Sequence, residues 1–241
     1  MSWRLGILIA GSLDWRPEPY RHEWRQSRLT SGVGVPVRAP IRYGRFSRDK
    51  TYTMVFAPGC PDGRAKVRLC SRPVSSIADL VDEAKALWVA ERPANSQPLP
   101  GRLHSDDWGS VVLLANPEAV GSQELLERWA KRVVLEKDRH RHPTYDSAPY
   151  TVKGMSAVSN RGLLQIPWPV RVEDNAPLNS FDLLIATATQ PTPDPITGDF
   201  PNAEIIAEAW NSAGNAEYFR MNRKHGLHTF QDQEIETYLH V

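Results

Sequence analysis

Two places in the sequence put reactive residue types where chemistry would need them. The stretch ILIAGSLDW, residues 7–15, runs from an apolar segment into Gly11-Ser12, then to an acid and an indole. A buried strand that stops at Gly-Ser brings backbone N–H groups close to whatever lies beyond its end, because glycine has no side chain to block approach. Such groups suit an anion or a developing oxyanion; the same dipeptide equally serves an ordinary strand-to-loop turn. The second place is Glu91, the last residue of SIADLVDEAKALWVAE, residues 76–91. At about 100° per residue it continues the apolar stripe, three and four positions after Trp88 and Leu87 and seven after Ala84. Desolvation and the negative end of the helix dipole both raise the pKa of a carboxyl placed there, toward the range of a general base near neutrality. Fraying ahead of Arg92 and Pro93 would instead turn Glu91 to solvent or to an arginine.

Arg25, Arg28, Arg42 and Arg45 are candidates to receive a substrate carboxylate, since a guanidinium offers a bidentate fork. Nothing in the sequence selects among them. His140, His142 and Asp146 in DRHRHPTYD are metal-ligand types, but no third ligand cluster of recognisable spacing accompanies them, and no metal is expected. A serine or cysteine nucleophile is disfavoured: there is no GxSxG elbow, and Cys60 and Cys70 form no CxxC spacing and read as free thiols.

The elements that must position these residues are legible to different degrees. RLGILIA, TYTMVFAPG and RAKVRLCSRPV read as strands, the last two separated by the turn PGCPDG, so the front third is expected to be mostly β. Residues 76–91 form a helix that buries Ile77, Leu80, Val81, Ala84, Leu87 and Trp88, with Asp79, Asp82, Glu83 and Lys85 off that face. GSVVLLANP reads as a buried strand and SQELLERWAKRVVLEKDR as a helix capped by Ser122. The prolines of RGLLQIPWPVRV demote it to an edge or broken strand, whereas FDLLIATATQ is a good strand. NAEIIAEAWNSAG and NAEYFRMNRKHG predict closing helices, the second capped by Asn215 and ended by Gly226. This order predicts an α+β (mixed α/β) fold around one sheet, in a single domain spanning 1–241.

Lys and Arg number 29 against 28 Asp and Glu, so bulk charge gives no reason to seek nucleic acid or an anionic membrane. No apolar run approaches the roughly 20 residues of a membrane span, and no signal-peptide pattern opens the chain. A soluble, cytoplasmic protein is expected; a homodimer is left open. Eight tryptophans, five of them (Trp3, Trp15, Trp24, Trp108 and Trp168) outside the firm helices, are expected mainly in the core but also suit a ligand pocket or an interface.

In the order ILIAGSL, IRYGRFS, ALWVAE, FDLLIATATQ and GNAEYFRMNRKHGLHTFQDQEI, about two thirds of the chain resembles the gamma-glutamylcyclotransferase family, particularly its ChaC-type branch. The resemblance implies a twisted, β-barrel-like sheet with flanking helices and cyclisation of a gamma-glutamyl compound to 5-oxoproline without a cofactor. Carried over by position, Ala10, Gly11, Ser12 and Leu13 form the substrate loop and Glu91 is the general acid/base, while Tyr218 lines the site; Arg42 and Arg45 fall in the arginine-rich segment. Ala10 stands where the family usually has tyrosine, no Gly-Gly-Tyr follows Glu91, and residues of about 116–160 look inserted. A non-catalytic binding or assembly module on the same fold is the rival reading.

Overall fold

A computed structural model describes residues 2–91, 103–104, 108–140 and 146–240, with the backbone alone over 133–140. The strands are β1 (Leu5–Ile9), β2 (Val35–Ala39), β3 (Ile41–Phe46), β4 (Tyr52–Phe56), β5 (Gly63–Leu69), β6 (Gly109–Ala115), β7 (Thr151–Val152), β8 (Met155–Ser156), β9 (Val170–Arg171) and β10 (Leu183–Thr189). The helices are α1 (Pro19–Arg28), α2 (Ile77–Glu91), α3 (Ser122–His140), α4 (Ala203–Ser212), α5 (Glu217–Lys224) and α6 (Asp232–Tyr238). The fold is thus α+β, with a six-stranded mixed sheet in the order β6-β10-β1-β5-β2-β9. That order has two free ends, and no closed barrel forms among the described residues.

β1 lies inside the sheet, parallel to β10 through Leu5↔Leu183 and antiparallel to β5 through Gly6↔Leu69. Every residue of β1 is buried, which is why its sequence is an unbroken apolar run rather than an alternation. The strands β4 and β5 do not pair with each other: β4 forms a ribbon with β3, and β5 joins the main sheet between β1 and β2. β9 is a two-residue edge strand beyond Pro167 and Pro169, in line with the loss of donors that proline imposes.

The front third is less purely β than expected, because α1 occupies part of the polar stretch after the first strand. Only Arg21 and Trp24 of this helix are buried, so it has too thin an apolar stripe to register as a helix by periodicity, and Trp24 is helical after all. Ser76 and Asp79 cap the start of α2 reciprocally: Asp79 N–H donates to Ser76 Oγ, and Ser76 N–H to Asp79 Oδ2. The helix packs on α1, β6 and β10 and remains helical through Glu91. Its buried face includes Glu83, contrary to the amphipathic reading, because Arg28 of α1 reaches it with an Nη1···Oε1 distance of 2.9 Å.

α3 begins at Ser122 itself, with Gly121 O accepting from Leu125 N–H, so Ser122 is the first helical residue and not its cap. Asn202 caps α4 through Ile205 N–H, and Asn215 Oδ1 accepts from Glu217 N–H at the start of α5. α6 adds a short helix beyond the two expected at the end of the chain. Among the described residues, no helix is long and apolar enough to cross a membrane.

Candidate functional site

The chain leaves β1 through Ala10 and Gly11 into one 3₁₀ turn, Ser12–Asp14. The turn is fixed from behind. Arg25 of α1 donates to Leu13 O and to Arg16 O, each at 2.7 Å, and Lys66 of β5 meets Asp14 Oδ2 at 2.7 Å, with both side chains more than nine-tenths buried. His225 Nδ1 lies 3.8 Å from the same Asp14 oxygen; burial lowers the His225 pKa, opposed by Asp14. With the turn held this way, the N–H groups of Gly11, Ser12 and Leu13 meet no acceptor among the described residues. The first N–H groups of a helical turn are left unsatisfied by geometry, so the orphan donors follow from the chain's path.

Gly11 is extended, at φ −173°, a conformation any residue adopts. Space is what demands glycine there: a Cβ would stand 2.6 Å from the Tyr218 hydroxyl. That hydroxyl, brought in by α5, accepts from Met54 N–H at 3.4 Å, and burial raises its pKa. Beside it, the indole of Trp15 donates to Asn222 Oδ1 at 2.8 Å and packs on the Tyr218 ring at 6.0 Å between centroids.

Ala10, Gly11, Ser12, Leu13, Arg45, Glu91 and Tyr218 all line one cavity of about 400 Å³. Glu91 reaches it from the end of α2 with its side chain 15 % exposed. Its Oε2 lies 3.2 Å from Arg21 Nη2, while Arg21 Nη1 donates to Ser12 Oγ at 3.1 Å. Desolvation raises the Glu91 pKa and outweighs the opposing effects of Arg21, Thr187, Arg16 and Arg45. Thr187 and Thr189, alternate residues near the end of β10, carry buried hydroxyls with no hydrogen-bond partner among the described residues; Thr187 nevertheless stands close enough to favour ionised Glu91. Trp108, set edge-on against Trp88, completes this wall. Among the described residues, four arginines (16, 21, 45 and 48) line the cavity against two carboxylates, Asp49 and Glu91, a balance that favours an anionic ligand.

Three of the four arginines considered from the sequence lie elsewhere. Arg42 donates to Pro201 O at 3.0 Å and lies over the rings of Phe200 and Phe230, outside the cavity. Arg25 braces the loop from behind, and Arg28 clasps Glu83. Arg21, which meets both Glu91 and Ser12, is not among those four. Its one available signal is Pro19, a good first helical residue, followed by Arg21, Trp24, Arg25 and Arg28 at helical spacing. Thr187 and Thr189 likewise have only the end of a strand pattern to mark them.

Both cysteines are free thiols, and burial raises the Cys60 pKa to about 11, which makes it a poor nucleophile at neutral pH. Among the described residues no three His, Cys, Asp or Glu side chains gather as a metal site. The side chains of His140 and His142 lie outside the described residues, while Asp146 caps the turn at Ala148 N–H. Compared with protein-family models, curated proteins and solved structures, the chain gives no match.

Proposed function

We propose that the chain is a gamma-glutamylcyclotransferase-like enzyme that cyclises a gamma-glutamyl compound, such as glutathione or a gamma-glutamyl amino acid or amine, to 5-oxoproline. One observation carries the reading. Glu91, its pKa raised by burial, lines the same cavity as residues 11–13, whose N–H groups have no acceptor among the described residues. An intramolecular acyl transfer requires little more than orientation, one proton shuttle and donors aimed at the new oxyanion.

In this mechanism Glu91 takes a proton from the substrate's alpha-ammonium group, and the freed nitrogen attacks the gamma-carbonyl carbon. The carbonyl electron pair moves onto oxygen, where the N–H groups of Gly11, Ser12 and Leu13 receive the charge. As the ring nitrogen gives up its second proton, the bond to the leaving nitrogen breaks. That nitrogen collects both protons, one of them returned by Glu91, and departs as an ammonium. No metal or organic cofactor enters the balance. Tyr218 borders the reacting atoms, and Arg45 contributes to the field that draws the carboxylate in.

The β3–β4 ribbon touches β5 through β3 and β10 through β4, two strands that flank β1 in the main sheet. This bridging supports a barrel-like wall as part of the same reading, with residues of about 116–160 as an insertion in a single domain and a cytoplasmic setting. The Arg21–Glu91 ion pair favours a second reading, a non-catalytic module that binds carboxylates on the same fold. Assay of 5-oxoproline release from glutathione and a panel of gamma-glutamyl amino acids and amines separates them. Release from at least one compound is the expected result; binding without release across the panel selects the module.

A further inference from the structure

We propose that Arg21 forms a carboxylate subsite within this cavity, and that a ligand carboxylate received there drives a proton onto Glu91. The inference rests on the cyclotransferase reading for the identity of the ligand, but the subsite itself stands on geometry. The Arg21 side chain is 8 % exposed and lines the cavity. Of its five donors, Nη1 serves Ser12 and Nη2 serves Glu91. Its buried Nε–H has no hydrogen-bond acceptor among the described residues, the Glu18 carboxylate lying 4.0 Å away. A guanidinium at the cavity wall, with a second hydrogen left on each terminal nitrogen, offers the fork that matches the two oxygens of a carboxylate.

Charge balance then couples the ligand to Glu91. A ligand carboxylate on Arg21 competes with Glu91 for the same guanidinium and sets a second negative charge beside it, which favours protonation of Glu91 against the opposing field of Arg16, Arg45 and Arg48. Among the described residues, the groups that face Glu91 are Arg21 from α1, Arg16 from the segment after the 3₁₀ turn, Arg45 from β3, Thr187 from β10 and Tyr218 from α5. Arg48 and Asp49 line the cavity beyond them. Arg21 contacts both Glu91 and the substrate loop. A gamma-glutamyl substrate brings the required proton on its own alpha-ammonium group, so docking of its alpha-carboxylate on Arg21 turns Glu91 into the acceptor of that proton. Compounds lacking the alpha-carboxylate leave Glu91 paired with Arg21 and are not cyclised.

Titration calorimetry with three probes of similar size tests this: 5-oxoproline, cyclopentanecarboxylate and the uncharged 2-pyrrolidinone, each in buffers of different ionisation enthalpy. Both anions are expected to bind about 10- to 100-fold more tightly than 2-pyrrolidinone, the range of a charge-assisted hydrogen-bonded pair. Their binding is expected to take up a proton and to weaken as pH rises. Glu91→Gln keeps the anions and abolishes the uptake, whereas Arg21→Gln loses them; if Arg21→Gln does not fold, the wild-type pH dependence and Glu91→Gln decide. Equal binding of 2-pyrrolidinone, no binding of either anion, or binding without proton uptake overturns the subsite. Equal binding of the two anions, with no 5-oxoproline released from any gamma-glutamyl compound, leaves the subsite standing and removes the cyclotransferase reading.

Discussion

Two arginine–glutamate pairs join the same two helices, and they differ in what surrounds them. Arg28 and Glu83 meet at 2.9 Å outside the cavity lining, with Glu83 buried and Arg28 28 % exposed; Arg21 and Glu91 meet at 3.2 Å, about two helical turns away on each helix, at the wall of the cavity. As α1 advances from Arg21 to Arg28, α2 recedes from Glu91 to Glu83, so the helices run antiparallel and the pairs are rungs of one ladder. The inner rung fastens the helices. At the outer rung the arginine divides its donors between Glu91 and Ser12, and desolvation keeps the carboxyl basic despite the nearby cation. The same pair of residue types is thus a clasp outside the cavity and, in the proposed cyclotransferase, a proton-handling group at the cavity wall.

The sharpest separation of the rungs comes from neutralising each glutamate. Glu91→Gln is expected to lower 5-oxoproline release by about 10²- to 10⁴-fold, the usual weight of a general acid/base, with the folded state retained. A Gly11→Ala substitution tests the loop beside that rung. Its Cβ would stand 2.6 Å from the Tyr218 hydroxyl, and the resulting displacement should cost about 10²-fold in rate. Adding Tyr218→Phe to Gly11→Ala removes the clashing oxygen and should restore part of the loss, which kinetics on the double variant would show.

Glu83→Gln, by contrast, is expected to leave the rate per folded molecule unchanged and to destabilise the protein by about 1–2 kcal/mol, through loss of a charge-assisted hydrogen bond. Denaturant titration beside the activity assay checks both halves. The smallest effect is on stability against pH. Because Glu91 has a higher pKa folded than unfolded, the folded state holds more protons between those two values, and stability falls as pH rises through that window. Glu91→Gln should flatten this part of the stability profile; an unchanged profile would assign the slope to other groups.

What could be read from the sequence followed how strongly each residue's role imprinted on its neighbours. Glu91 was legible because a helix of firm periodicity carried it onto an apolar face, and residues 10–13 because an apolar run ended at glycine. Arg21 was not, since α1 buries only two residues and a charged side chain facing a cavity leaves the same pattern as one facing water. Glu83 falls off the apolar stripe of its helix, and its burial depends on Arg28, 55 positions away. The strands themselves were largely visible, but their partners were not. β4 and β5 look like neighbours across a short turn, and only the tertiary arrangement sends them to different sheets. Arg42 and Arg45, three residues apart on β3, part company across a register shift between Tyr43 and Arg45; only Arg45 reaches the cavity.

The central claim, that the outer rung holds a carboxyl group poised to move a proton, is tested most directly by titrating Glu91 itself. Carboxyl-carbon NMR of protein labelled at glutamate, with Glu91→Gln to assign the resonance, gives its midpoint with and without 5-oxoproline. The account predicts a midpoint above that of an ordinary glutamate, rising further when 5-oxoproline is added. A midpoint at or below the ordinary value, unmoved by 5-oxoproline, would contradict it and make the outer rung a second clasp.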